Sequence, residues 1–289
     1  MNVRVSRSRE MVARGYSPTL VSRVAQISRQ ALYRTPTRPP EGVRRPMDDL
    51  DRAIVQVAGE DEHATDGTRM IAAIASARVG RPINRKRAQR VMREHRLLQP
   101  VRSEGRRKRP GFFQVTRPDE LWHLDMTSIW VAEHGWCYLN TAIDCCTRQI
   151  AGWALDTRCR TTEALAVIDR AVDERGVPKN SLTLGTDNGT AYTSKGFRKR
   201  LAEHEITHRR GGYRDPESQA FIESWFSKLK LRLIWRTEFE TLAEARTAIE
   251  GYVEHYHHRP HSGLNYKTPA QVAQTWHDHR DPTNTATPN

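Results

Sequence analysis

The sequence is short of cysteine and aromatic residues and has no long apolar run, and each shortage removes a class of protein. Its four cysteines, Cys137, Cys145, Cys146 and Cys159, fall in one short stretch without CxxC spacing. A disulfide framework through the chain is therefore excluded, and they read as reduced thiols of a cytosolic protein. No eighteen consecutive apolar residues occur, and the opening string MNVRVSRSREMVARGY is charged where a secretory signal needs an apolar block, so neither a membrane span nor export is expected. Internal repeats and low-complexity tracts are also missing. An apolar content of 37% is low but sufficient for packed cores.

What the chain has in excess is positive charge, and it is unevenly placed. Residues 1–118 hold 26 Lys/Arg against 11 Asp/Glu, a net of +15, and residues 119–289 hold 21 against 23, a net of −2, which together give the overall +13. Cations concentrated in one part of a chain suit a polyanion held by its phosphates, because each phosphate contact releases condensed counterions.

Periodicity divides the chain. Residues 1–46 contain short helical patterns, SRSREMVARG, SPTLVSRVAQ and ISRQALYR, that suit a helix-turn-helix-like segment, followed by a Pro/Arg-rich connector with Pro36, Pro39, Pro40 and Pro46. Residues 47–100 are helical again. In the last of these helices Asn84 is the expected N-cap, Val91 and Leu98 lie on the apolar face, and Arg85, Lys86, Arg87, Arg90 and Arg93 stay outside as candidate DNA contacts. A basic linker, 101–114, adds Arg106, Arg107, Lys108 and Arg109 as further candidates.

Beyond this linker the period changes to that of strands. LWHLDMTSIWV, WCYLNTAIDCCT and QIAGWALD predict a three-stranded antiparallel meander. A helix over TTEALAVIDRAVDERG follows, with Leu165, Ile168 and Val172 on its buried face, then strand SLTLGTD, helix SKGFRKRLAEHE, strand ITHRR and a last helix, ESQAFIESWFSKLKLRLIWR. This order predicts an α/β fold with a mixed five-stranded sheet over 115–275 and a disordered tail over 276–289.

Three carboxylates stand out. Asp125 interrupts an apolar strand, where an ionised group needs solvent or a cation. Asp187 follows directly on a strand, at the end where ligands gather in α/β sheets, with Gly189 allowing a tight turn. Glu223 lies beside the helical stripe Ile222, Trp225, Phe226 and Leu229, with Lys230 on its own face two turns on. Taken singly, each is compatible with a surface residue or an ordinary turn. Taken together, they offer the oxygen ligands that Mg²⁺ prefers, and two such ions can stabilise both oxygens of a phosphoryl displacement.

The strings LWHLDMTSIW, LGTDNGTAYTS and AFIESWFSKLK, with thirty-five residues between Asp187 and Glu223, resemble the Asp-Asp-Glu triad of the integrase-like transposases of the IS-three insertion-sequence family, the OrfB type. YHHRPHSGLNYKTP resembles that family's closing motif through Arg259, Pro260, His261, Leu264 and Pro269, and the likeness extends over roughly residues 10–275. The chain departs from the pattern at Thr68, where an aromatic is common, and at His257, where the motif usually has Asn.

The resemblance implies an RNase H-like core in which Asp125, Asp187 and Glu223 hold Mg²⁺, with Mn²⁺ substituting, to cut and join DNA. Lys230 would contact DNA near the cut end. It further implies a homo-oligomer on paired double-stranded DNA ends, an upstream-frame OrfA partner, and a cytoplasmic, nucleoid-associated place of action. A catalytically silent repressor remnant and an RNase H-like nuclease that cuts without joining are the competing readings.

Two other constellations receive structural readings. His204, His208, His255, His257, His258 and His261 lack the closed Cys/His spacing of structural zinc. Trp122, Trp130, Trp136 and Trp153 lie on alternating strands and are assigned to the core rather than to base stacking.

Overall fold

Alternation along Leu121–Val131 makes β1 the centre of the molecule's sheet, with one row of side chains for each face. The computed structural model describes residues 3–33, 46–99, 115–211 and 219–280. The linker with Arg106, Arg107, Lys108 and Arg109 lies outside the described residues, as does most of the Pro/Arg connector.

The sheet order is β3-β2-β1-β4-β5. Strands β2 (Gly135–Asp144) and β3 (Ile150–Asp156) form the expected antiparallel meander with β1, while β4 (Thr183–Thr186) and β5 (Thr207–Arg210) run parallel to it. Trp122 and Leu124 of β1 enter a core with α7 (Thr161–Arg175) and α9 (Lys195–Glu203). Ile129 and Val131 enter a second core with α10 (Ala220–Arg232) and α11 (Leu242–His257). Helices therefore cover both faces. A single turn, α8 (Thr190–Thr193), follows β4.

Several expectations change here. The helix of residues 220–232 is not the last, because α11 and α12 (Pro269–Arg280) follow, and α12 extends past the residue where a tail was expected to begin. Thr241 opens α11, its hydroxyl accepting the Glu244 N–H at 3.2 Å. In α7 the fully buried positions are Ala164, Val167, Ile168 and Ala171, while Leu165 and Val172 flank them half-buried. The small residues follow from a close approach of β3: a Cβ on Gly152 would stand 2.9 Å from that of Ala171.

Among the tryptophans, Trp122 is buried and Trp153 packs against the α10–α11 core, but Trp130 and Trp136 are 55% and 58% exposed. They face each other across the β1–β2 hairpin, where the even-numbered side of β1 is open to solvent at Ser128 and Trp130.

The chain divides into two units, Met1–Asp48 and Asp49–Asn289. In the first, α1 (Val3–Ala13), α2 (Pro18–Val24) and α3 (Arg29–Tyr33) bury Val21 and Leu32, and Arg9 donates to the Ala31 carbonyl at 3.0 Å. The second begins with α4 (Asp49–Gly59), α5 (Thr68–Val79) and α6 (Arg85–Glu94), which share a core of Ile54, Val57, Ile71, Ala75, Val91 and Met92. Asn84 caps α6 as expected, accepting the Lys86 N–H at 2.8 Å. No helix of the described residues is long and apolar enough to cross a membrane.

Candidate active site

Asp125 is half-buried in mid-β1 and shares the odd-numbered row of Ile129 and Val131, on the side of α10. In the parallel pair β1–β4, His123 stands opposite Gly185. Asp125 lies two residues beyond that pair within β1, and Asp187 lies two residues beyond it in the turn directly after β4. Glu223 occupies the first turn of α10, exposed beside the buried stripe Ile222, Trp225, Phe226 and Leu229 that seats the helix on the sheet.

The electrostatics couple these groups. Burial is the main cause that raises the Asp125 pKa to about 6; the Met126 N–H, donating at 2.8 Å, works against it, the charges of Asp187 and Glu223 push it further up, and Lys230 pulls it down. Tyr192, buried in the core with α7 and α9, has its hydroxyl pKa raised by burial first and then by the charges of Asp125 and Asp187.

Asp187 Oδ1 accepts the Gly189 N–H at 2.8 Å, and a Cβ on Gly189 would come within 2.9 Å of that oxygen. Its φ of −58° is open to any residue, so glycine is needed here for space rather than for an unusual backbone.

Among the described residues no Lys, Arg or His forms an ion pair with Asp125, Asp187 or Glu223, and three carboxylates without a cation are a donor set that fits Mg²⁺. They are not drawn tightly together. Among the described residues, the group whose ligand atoms all lie within 4.8 Å of one another is Glu60, Glu62 and His63. Glu60 there is already clasped by both terminal nitrogens of Arg78, at 2.5 and 2.6 Å, as an ion network would have it.

Two models described as integrase core domain match the chain, over residues 115–216 and 204–269. The transposase for insertion sequence element IS904 of Lactococcus lactis is 35% identical over 159 residues, 54% of this chain and 62% of that protein, so the chain spans less than two thirds of its length. Transposase InsD for insertion element IS2-9 of Escherichia coli is 29% identical over 287 residues, 93% of this chain and 92% of that protein. The chain carries an integrase core domain and is similar to insertion-sequence transposases. An integrase core with such relatives indicates a DDE-type polynucleotidyl transferase. A chain of the simian T-cell lymphotropic virus intasome in complex with PP2A regulatory subunit B56 gamma superposes with a TM-score of 0.50 at 17% identity, covering 75% of this chain and 73% of that one. The core therefore has the RNase H-like fold.

The five α6 cations do not behave alike. Arg85, Lys86 and Arg93 are exposed. Arg87 and Arg90, expected outside, are half-buried and turn inward to buried Asp51, at 2.7 and 3.0 Å. The reason is a bundle contact: Asp51 on α4 would be a buried charge without them.

Other contributors gave no signal in the sequence. The Arg148 guanidinium lies 3.2 Å from the centroid of Phe221, and His123 stacks on the same ring at 5.9 Å, which fixes the start of α10 two residues before Glu223. The histidines have separate partners rather than a common centre. His204 meets Asp169 at 2.8 Å, His208 meets Thr186 at 2.9 Å, and His258 meets Glu254 at 3.1 Å. His257 Nε2 accepts the Ile150 N–H at 2.9 Å, and His261 Nδ1 accepts that of Gly263 at 3.1 Å.

Proposed function

We propose that this transposase cuts and rejoins DNA at a site made by Asp125, Asp187 and Glu223 with Mg²⁺, for which Mn²⁺ substitutes. The observation that carries the reading is that carboxylates from β1, the turn after β4 and α10 feel one another's charge with no ion-paired cation among the described residues, while burial raises the Asp125 pKa to about 6. Divalent cations held there supply the positive charge that makes a hydroxyl nucleophilic and stabilises the departing oxygen.

The chain's own residues do the rest. Asp125 is held in β1, Asp187 in the turn after β4 by the Gly189 N–H, and Glu223 on a helix seated on a buried apolar stripe, so each carboxylate has a fixed backbone before DNA arrives. Lys230, half-buried and close enough to lower the Asp125 pKa, holds a phosphate beside the scissile one as a point charge. Water attacks first and the freed 3′-hydroxyl second, so Ser128 and Tyr192 are not needed as nucleophiles. Burial keeps Tyr192 protonated, which suits a wall of the site rather than an attacking group.

Residues 47–100 serve as a helical DNA-binding segment, with exposed Arg85, Lys86 and Arg93 on phosphates, and 1–46 as a helix-turn-helix-like reader of the element's ends. Residues 115–275 are the catalytic core. The partners are double-stranded DNA ends and target, a second copy on the paired end, and an OrfA protein, acting at the nucleoid in the cytoplasm.

Each of Asp125→Asn, Asp187→Asn and Glu223→Gln should abolish Mg²⁺-dependent cutting of a labelled duplex while DNA binding persists, and EDTA should do the same to the wild type. Cutting retained by any one variant would remove that residue from the site.

A further inference from the structure

The closing-motif arginine, Arg259, has no part in the reaction above, yet it is buried at 7% exposure and points to an acid far away in sequence. That acid is Asp66, 4% exposed, in the turn between α4 and α5. One Asp66 oxygen takes Arg232 Nη2 at 2.8 Å, the other takes Arg259 Nη2 and lies 3.1 Å from His63 Nδ1. The neighbouring backbone and side chains join in: Arg259 Nη1 donates to the Glu62 carbonyl at 3.2 Å, and Arg232 Nε donates to Thr65 Oγ1 at 3.3 Å. Lys228, one turn before Arg232, adds a further half-buried cation, its pKa lowered by burial, then by Arg232 and Arg259, and raised by Asp66.

Arg232 is the last residue of α10, the helix that carries Glu223 in its first turn and Lys230 near its end. The opposite end is fixed by Arg148 over Phe221. A thirteen-residue helix held at both ends has little freedom to slide or tilt. Without Asp66 the half-buried Lys228 and Arg232 at the end of α10 would face the buried Arg259 without the carboxylate that now lies between the two guanidiniums, and like charges held together this way disperse.

We propose that Asp66 is a positioning residue that clamps the end of α10 to the DNA-binding bundle α4–α6, so that DNA seated on the bundle meets Glu223 and Lys230 in fixed register. The clamp stands on the contacts above, and its effect on turnover rests on the proposed function.

The test is Asp66→Asn, which keeps shape and removes charge, read by backbone amide exchange and by turnover on saturating DNA. Exchange should rise in the last turns of α10 but not in α4–α6, and turnover per folded molecule should fall by up to about a hundredfold with the DNA KM little changed. Asp66→Glu should restore part of it. Unchanged exchange in α10 together with wild-type turnover would overturn the clamp. Should Asp66→Asn fail to fold, Arg232→Gln, which leaves Asp66 paired with Arg259, is read in the same way. Should wild type itself not join DNA, the functional reading fails while the exchange pattern still decides the clamp.

Discussion

Replacing His257 by phenylalanine keeps a ring against the end of α11 and removes the acceptor that holds the start of β3, the Ile150 N–H at 2.9 Å. A buried donor left without a partner costs about 1–3 kcal/mol. Burial, with the charges of His258 and Arg175 adding to it and Glu254 opposing, lowers the His257 pKa from 6.5 to about 4, so the folded state resists protonation that the unfolded chain accepts. The stability tied to this histidine is therefore complete above pH 6.5 and is lost as pH falls towards 4. The whole shift corresponds to about 3 kcal/mol, an upper value because the ring is not fully enclosed. His123 and His261 are also lowered to about 4, so the wild type should lose stability through the same window. The difference between the two proteins isolates His257. Urea unfolding followed by tryptophan fluorescence should find His257→Phe less stable by about 1–3 kcal/mol at pH 7.5, with the gap closing by about pH 4.5. A gap that stays constant with pH, or none at pH 7.5, would refute the assignment.

The α6 cations should separate into two groups. Arg85→Ala, Lys86→Ala and Arg93→Ala together should weaken DNA binding and reduce the salt slope by about 3, with stability changed by less than about 0.5 kcal/mol, since each is exposed. Arg87→Ala or Arg90→Ala should instead cost about 1–3 kcal/mol of stability by stripping a partner from Asp51, with little change in salt slope. Equal effects of the two groups on the salt slope would contradict this division.

Much of the core was legible in the chain, because strand alternation and the strings around Asp125, Asp187 and Glu223 are local patterns. The meander, the mixed character of the sheet and the α10 stripe all follow from such patterns. What was not legible depends on distant partners. Arg87 and Arg90 look solvated by helical spacing, and only Asp51, 36 and 39 residues away, turns them inward. Trp130 and Trp136 have the alternation of core residues but lie where the sheet is open to solvent. The α11 stretch lies between the last helix expected from the pattern and the closing motif, and Thr241 and Glu244 mark its start. His257, set apart as a departure from the family pattern and weighed among the histidines for zinc, holds the start of β3 in place.

The central claim is that three carboxylates make this chain a DNA-joining enzyme. The most direct measurement is strand joining on a labelled duplex carrying the element's own terminal repeats, in Mg²⁺ or Mn²⁺, for wild type beside Glu223→Gln. The account predicts cut and joined product from the wild type alone. Cutting without joining would point to a nuclease, binding without cutting to a silent repressor, and joining by Glu223→Gln would contradict the account outright.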